Sequence, residues 1–276
     1  NIGKVRNTGV DASIGYRDVF GEFTLDALAT IFTYKNKLVD IDGNPNTFLI
    51  GGPGEQQGFA TRNQAGHPVS SFYGFIADGV IQDGPEAGNF NFRDLDKNGE
   101  VTDDDRTYIG SPHPDFQYSL NVYLKYKNFD LSVFLIGSQG NEIFNFNKYY
   151  QDFDNRGNWN RGVSILNAWT PENHSNSLAQ YNAATAGLNS RPSTYFIEDG
   201  SYLRCQNLQL GYNFPTIGVI TNLRFYVQSQ NLFVITKYSG VDPEIGRPAD
   251  NLGFGVDNGD HYPISRTFLV GVNLGF

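Results

Sequence analysis

Apolar and polar side chains alternate with a period of two along several long stretches of this chain. In residues 116–127 the apolar or aromatic set is Phe116, Tyr118, Leu120, Val122, Leu124 and Tyr126. The same alternation runs through residues 10–16, 23–31, 131–135, 201–214, 223–227 and 267–276. Because successive side chains of a strand point to opposite faces, the pattern predicts β-strands that each have one apolar and one polar face.

The predicted strands are unusually long. Several contain ten residues or more, whereas strands of about 5–6 residues are the commonest in globular proteins. A membrane-spanning strand needs about 9–11 residues, and aromatic residues at strand ends are typical of the two membrane interfaces. Such end positions are Phe116, Tyr126, Tyr212 and Tyr238. A large soluble β-sandwich alternates in the same way, but strand length and the aromatic ends favour a membrane barrel.

Short and long connections alternate along the chain. The short ones lie around residues 18–21, 128 and 215–221, and the long ones cover about 39–115, 137–201 and 239–264. Outer-membrane barrels have short periplasmic turns and long extracellular loops. We therefore expect residues 39–115 to form a long extracellular insertion, in which residues 69–81 are a candidate for additional barrel strands.

About seven long strands are predicted, which is too few to close a barrel of this kind. An open sheet edge cannot lie in lipid, because its backbone groups would have no hydrogen-bond partner. The remaining barrel strands are therefore expected in a part of the protein outside this chain. The predicted fold is all-β, an antiparallel transmembrane β-barrel segment with long extracellular loops.

Composition excludes several functions. The net charge of −9 disfavours a nucleic-acid partner, and no apolar run is long enough for a transmembrane helix. The single cysteine, Cys205, is expected to pack as a small apolar residue. The four histidines, His67, His113, His174 and His261, have no catalytic spacing. We expect no enzymatic activity and no organic cofactor.

Residues 94–105, with the sequence DLDKNGEVTDDD, resemble a calcium-binding loop. Oxygen ligands recur at every second position, and Gly99 allows the sharp turn between them. The candidate ligands are the side chains of Asp94, Asp96, Asn98 and Asp105 and the backbone carbonyl of Glu100. The loop ends in Asp instead of Glu, which predicts weak Ca²⁺ binding, with Mg²⁺ a less favoured alternative. An acidic turn without an ion remains open.

Four aromatic residues of a long loop are candidates for substrate contact, because aromatic faces stack on sugars. They are Tyr149, Tyr150, Trp159 and Trp169. Packing within the core of the loop itself is the alternative.

Three segments carry a family resemblance: DGSYLRCQNLQLGYNFP, LRFYVQSQNLFVITKYSGVDPEI and YPISRTFLVGVNLGF. They resemble SusC/RagA-type TonB-dependent outer-membrane transporters of Bacteroidetes. The acidic segment FRDLDKNGEVTDDDRTYIGSPHPDFQYSL and the short AWTPEN segment fit the same family. The resemblance extends from about Asn7 to the last residue.

The resemblance implies that residues 1–276 are the C-terminal portion of a 22-stranded barrel filled by a plug, with the plug and the TonB box outside this chain. It also implies a SusD/RagB-like lipoprotein as a lid, energy from the TonB complex, and import of oligosaccharides or peptides. The expected location is the outer membrane of a Gram-negative bacterium, in contact with lipid. The alternative is a secreted, Ca²⁺-stabilised, carbohydrate-binding β-sandwich.

The last predicted strand gives the most specific expectations. Its lipid-facing residues are Phe268, Val270, Val272, Leu274 and Phe276, and its interior residues are Thr267, Gly271 and Asn273. Polar residues expected to face inward on other strands are Gln117, Asn121, Arg224, Gln228 and Gln230. We expect this strand to pair with residues 223–237, and the terminal aromatic Phe276 to act as a barrel-assembly signal.

Overall fold

The computed structural model describes residues 3–52, 58–153, 160–245, 252–259 and 261–276. The strands in chain order are β1 (Lys4–Phe20), β2 (Phe23–Asp40), β3 (Phe48–Gly51), β4 (Thr61–Gln64), β5 (Phe72–Gly74), β6 (Ala77–Val80), β7 (Phe90–Phe92), β8 (Thr107–Gly110), β9 (Phe116–Tyr126), β10 (Phe129–Gln139), β11 (Glu142–Asn145), β12 (Ile197–Asp199), β13 (Tyr202–Phe214), β14 (Asn222–Thr236), β15 (Val256–Asp257) and β16 (Thr267–Gly275). Helical segments are short: α1 (Asn147–Gln151), α2 (Ala186–Asn189) and the 3-10 turns Asp103–Asp105, Val163–Asn167 and Thr194–Phe196.

Seven long strands form one antiparallel sheet in the order β1-β2-β9-β10-β13-β14-β16. These strands contain 9 to 18 residues, which confirms the predicted number and length. The last strand pairs with β14, as expected from the sequence. Within the described residues the sheet stays open, because β1 and β16 are its two edges. No helix in this part of the chain is both long and apolar enough to cross a membrane.

Two tight turns, one between β1 and β2 and one between β9 and β10, lie at one end of the sheet. The β1–β2 ladder continues to the pair Phe20 and Phe23, so the turn consists of residues 21 and 22 and is shorter than the predicted turn at residues 18–21. Gly21 has φ +65°, a conformation that glycine adopts without strain. The β9–β10 turn contains Lys127 in the same left-handed region, at φ +52°.

The strand register sorts side chains into apolar and polar rows. One row runs across six strands as Leu25, Leu124, Leu131, Leu210, Val227 and Val270. The adjacent row, one residue away along each strand, is Asp26, Tyr123, Ser132, Gln209, Gln228 and Leu269. A slip of one residue would move every side chain to the opposite face, so this pattern fixes the register.

The long connections fold at the other end of the sheet. Residues 41–115 contain a four-stranded sheet, β3-β4-β5-β8, and the pair β6-β7. The proposal that residues 69–81 add barrel strands was wrong, because they contain only the short strands β5 and β6. A third small sheet, β12-β11-β15, joins the second long connection to the third.

Most of the buried apolar side chains belong to these loops and not to the large sheet. Phe72, Phe75, Phe144, Phe153 and Phe196 are almost completely buried and contribute to one cluster. Phe144 stacks on Phe196 with ring centroids 5.3 Å apart. The loops therefore share a hydrophobic core that holds them together as a packed unit.

Two predictions for single strand residues had different outcomes. Cys205 is buried in β13, as expected for a packing residue. Tyr238 was expected at a strand end facing the membrane interface, and this was wrong. It lies beyond β14, is buried among the loops, and its hydroxyl donates a 2.5 Å hydrogen bond to Asp257.

Candidate functional site

One face of the seven-stranded sheet is apolar and exposed. On β16, Phe268 and Val270 are 70% and 69% exposed, and Val272 and Leu274 follow on the same face. Ile14 of β1, at the opposite edge of the sheet, is 74% exposed. Soluble monomers rarely expose an apolar patch that extends over many strands. A surface of this kind fits contact with lipid hydrocarbon.

The opposite face carries most of the polar side chains. The predicted inward residues all lie on it: Gln117, Asn121, Arg224, Gln228 and Gln230. Several of these polar groups bond across strands. Thr30 and Ser119 hydroxyls are 2.7 Å apart, and Gln228 donates to Asn207 at 2.6 Å. Such a face suits the interior of a barrel, because it keeps hydrogen-bonding groups away from lipid.

An ion pair lies on this polar face near the short turns. Arg224 of β14 donates to both carboxylate oxygens of Asp130 of β10, at 2.5 and 3.1 Å, and Asn213 adds a bond at 2.9 Å. The pair reaches across β13 above Gly211, where a Cβ atom would stand only 2.5 Å from the guanidinium. Glycine at this position therefore makes room for the bidentate pair.

A second ion pair attaches the last long loop to the sheet. Arg204 of β13 is buried, and its guanidinium contacts Asp242 at 2.6 Å and Glu244 at 2.5 Å. Both acids belong to the connection between β14 and β16. The strand pattern gives Arg204 no role of its own, although a lone arginine among the apolar residues that begin a strand is a usable signal of a buried charge.

The acidic loop brings together three of its predicted ligands. Carboxylate oxygens of Asp94, Asp96 and Asp105 all lie within 4.8 Å of one another. Asp94 accepts hydrogen bonds from the backbone of Lys97 and Gly99, at 2.6 and 2.8 Å. These contacts wrap the loop around its carboxylates, an arrangement that is compatible with a hard cation.

The other two predicted ligands are exposed. Asn98 accepts a 2.8 Å bond from the backbone N–H of Glu100. Among the described residues, the Glu100 carboxylate is not part of the cluster formed by Asp94, Asp96 and Asp105. The ligand predicted from Glu100 was its backbone carbonyl.

Asp105 anchors the acidic loop. Its side chain is buried and accepts backbone hydrogen bonds from Thr102, Leu95 and Asp96 at 2.7, 2.6 and 3.3 Å. The bond from the Thr102 N–H and those from the other two amides lower the pKa of Asp105. The carboxylate is therefore held in its charged form at neutral pH.

The predicted substrate-contact aromatics lie in different environments. Tyr149 and Trp169 are buried in the loop core, so neighbouring residues cover most of their ring surface. Tyr150 is partly buried and stacks edge-on against Phe146, with centroids 5.2 Å apart. Trp159 lies outside the described residues. The structure thus gives Tyr149 and Trp169 a packing role, and substrate contact stays a prediction for the set.

His113 and Phe276 also have defined positions. Both ring nitrogens of His113 are engaged, by the Tyr34 hydroxyl at 3.0 Å and the Val69 carbonyl at 2.9 Å. Burial lowers the pKa of His113, which fits a neutral packing residue. Phe276 follows β16 and is 84% exposed, and its part in assembly stays a prediction.

No family profile matches this chain. Individual proteins do match over its whole length. TonB-dependent receptor P3 of Formosa agariphila is 34% identical over 302 residues, and TonB-dependent receptor SusC of Bacteroides thetaiotaomicron is 30% identical over 290 residues. The chain spans only 29% and 27% of the length of these two relatives.

Solved structures show the same fold. The RagAB peptide transporter structure matches all of this chain and 30% of its own with a TM-score of 0.80, at 24% sequence identity. The open and closed states of the RagAB peptide importer both match with a TM-score of 0.78. The chain has a sheet of seven long strands with one apolar and one polar face, and its relatives match it over its whole length. It therefore belongs to the SusC/RagA-type TonB-dependent receptors, of which it spans one part.

Proposed function

We propose that the protein containing this chain is a nutrient importer of the bacterial outer membrane. The observation that carries the proposal is that the whole chain is similar to one part of the SusC receptor, combined with a sheet whose two faces differ in polarity. The apolar face contacts lipid, and the polar face lines the lumen or meets a plug. Further strands outside this chain complete the barrel, because edges β1 and β16 cannot lie unpaired in lipid.

The proposed orientation follows from the connections. Short turns lie in the periplasm, and the packed loops of residues 41–115, 140–201 and 237–266 lie outside the cell. This arrangement offers the loop surface to a SusD/RagB-like lipoprotein, and the TonB complex supplies energy through a part outside this chain. The proposed cargo is an oligosaccharide or a peptide. One structural neighbour is described as a peptide transporter.

The secreted β-sandwich alternative finds no support in the fold. A sandwich buries the inner faces of two sheets against each other. Here the seven long strands form one sheet, and its apolar face remains exposed. Transport therefore accounts for the exposed face better than carbohydrate binding in solution does.

Ca²⁺ binding by the acidic loop is part of the proposal, with a structural role. Converging carboxylates repel each other, and a divalent ion offsets this repulsion. We expect calorimetry on the full-length receptor to detect Ca²⁺ binding that disappears after Asp94→Asn with Asp96→Asn. Asp78→Asn, which removes a carboxylate of the same insertion outside this loop, is the control. Unchanged binding in the double variant would refute the assignment.

Uptake by cells tests the importer directly. The full-length receptor and its candidate lipoprotein are restored to a receptor-deletion strain, which is then given labelled oligosaccharide or peptide mixtures. We expect one class to accumulate only when the receptor is present, and accumulation to stop when TonB is deleted. Accumulation that is independent of the receptor or of TonB would contradict the proposal.

A further inference from the structure

A cavity of about 300 Å³ opens in the insertion between β2 and β9, beside the small sheet β3-β4-β5-β8. It is separate from the carboxylate cluster of the acidic loop. Its lining combines aromatic, aliphatic and charged side chains: Phe48, Ile50, Phe59, Thr61, Arg62, Tyr73, Asp103, Asp104 and Arg106. This volume is at the small end of the range for ligand pockets, so it suits a group the size of one residue or one sugar ring.

Aromatic rings hold two guanidinium groups in place at this cavity. The Arg62 guanidinium lies 4.1 Å from the Phe48 ring centroid and 4.8 Å from that of Tyr73, and it donates to the Tyr73 hydroxyl at 2.9 Å. Arg106 lies 5.1 Å from the Tyr73 ring and donates to the Phe59 carbonyl at 2.8 Å. Stacked planar guanidinium groups lose little further freedom when they bind a ligand.

Neither arginine has a carboxylate partner within 4.0 Å in the part of the chain that the structure describes. The Nε atoms of both Arg62 and Arg106 are buried and have no hydrogen-bond partner there. Arg93 and Arg224 differ, since each is bidentate to a carboxylate. Neither cation is therefore neutralised by a direct ion pair among the described residues, and a guanidinium fork matches a carboxylate well.

The rest of the lining limits the ligand. Phe48, Ile50 and Phe59 are 47%, 39% and 40% exposed, so an apolar surface stands beside the two cations. Asp103 and Asp104 lie on the same cavity, and like-charge repulsion from them disfavours a ligand with several negative charges. The arrangement fits one carboxylate attached to an apolar or ring-shaped body.

We propose that this cavity is a binding site for a single carboxylate group, held by Arg62 and Arg106, whose attached body packs against Phe48, Ile50 and Phe59. The C-terminus of a peptide and a uronic acid sugar both present this chemistry. The site belongs to the insertion and is defined by binding, so it stands or falls separately from transport.

Calorimetry on the full-length receptor in detergent tests the site with small probes. N-acetylphenylalanine and its amide differ only in the charged group, as do glucuronate and glucose to a close approximation. We expect at least one carboxylate probe to bind about tenfold or more tightly than its neutral counterpart, as expected for charge-assisted bonds. The carboxylate that binds more tightly identifies the source of the natural ligand: N-acetylphenylalanine stands for a peptide C-terminus and glucuronate for a uronic acid sugar. Equal binding of charged and neutral probes, or binding of neither carboxylate, would overturn the proposal.

Three variants distinguish the loss of the binding site from the loss of the fold. Arg62→Gln with Arg106→Gln should abolish binding of the carboxylate probe, whereas Arg93→Gln, which removes an arginine of the same insertion outside the cavity, should leave it unchanged. Asp103→Asn should tighten binding severalfold by removing a like charge, a gain that misfolding cannot produce. Retained binding in the double variant, or weaker binding after Asp103→Asn, would contradict the site.

Discussion

Gly271 faces Tyr226 across the β14–β16 ladder, and the tyrosine ring covers the space where a side chain would stand. A Cβ atom at position 271 would lie 2.2 Å from the Cζ atom of that ring. Gly137 and Tyr118 form a similar pair between β9 and β10, with a distance of 2.3 Å. An aromatic ring that packs over a glycine of the neighbouring strand helps to fix the register of a sheet.

Substitution of Gly271 should therefore destabilise the sheet at this edge. Gly271→Ala forces the Tyr226 ring away, and overpacking of this kind costs about 1–3 kcal/mol. Gly15→Ala is the matched control, because the nearest atom to its Cβ would be 3.7 Å away. Heating unfolds a barrel and changes its mobility on a gel, so the temperature of this change reports stability. In the full-length receptor we expect Gly271→Ala to lower this temperature and Gly15→Ala to leave it unchanged. An equal decrease in both variants would contradict the packing argument.

At the scale of whole elements, the loops are anchored by buried charges as well as by their aromatic core. Arg204 belongs to β13, whereas its partners Asp242 and Glu244 belong to the β14–β16 connection. Asp105 likewise holds separate turns of the acidic loop through three backbone amides. Each anchor holds an irregular segment in place through hydrogen bonds to a charged side chain, because such a segment lacks the regular backbone hydrogen bonds of a strand.

Removal of Arg204 should release the last loop without unfolding the sheet. Arg204→Gln leaves Asp242 and Glu244 without their cation, and breaking a buried ion pair costs about 3 kcal/mol. We expect faster hydrogen exchange in residues 237–245 of the full-length receptor, with exchange in β9 and β10 unchanged. Arg17→Gln, which removes a largely exposed arginine 3.7 Å from Asp26, serves as the control. Unchanged protection of the loop would show that Arg204 does not anchor it.

The Asp105 anchor should also respond to pH in a defined direction. Its pKa is lowered in the folded loop, so its stabilising contribution is complete above the unfolded pKa of about 3.9. The contribution is lost as the pH falls through the lower, folded value. At neutral pH, Asp105→Ala should increase proteolytic cleavage within residues 94–105, and the exposed Glu100→Ala should not. Equal cleavage in both variants would argue against the anchor.

At the scale of the whole molecule, the large sheet could be predicted from sequence and the loop structure could not. Alternation along residues 116–127 and 267–276 predicted long strands and their faces, because strand periodicity is local. Residues 69–81 also contain apolar side chains, but Phe72 and Phe75 are buried by loop segments distant in sequence. The pairing of Arg62 and Arg106 at one cavity depends on the same long-range packing, so no local pattern predicted it.

The central claim is that the apolar face of the seven-stranded sheet meets lipid. Leu269 and Val270 are adjacent on β16, lie at nearly the same depth and are both apolar, but they occupy opposite faces. A cysteine is introduced at position 269 or at position 270 of a full-length receptor that carries Cys205→Ser, and a fluorescent label is attached to it. The quenching of each label is then measured in bilayers containing brominated lipid, which quenches fluorophores that contact lipid. The structure predicts strong quenching at position 270 and little at position 269. Equal quenching, or stronger quenching at position 269, would contradict it.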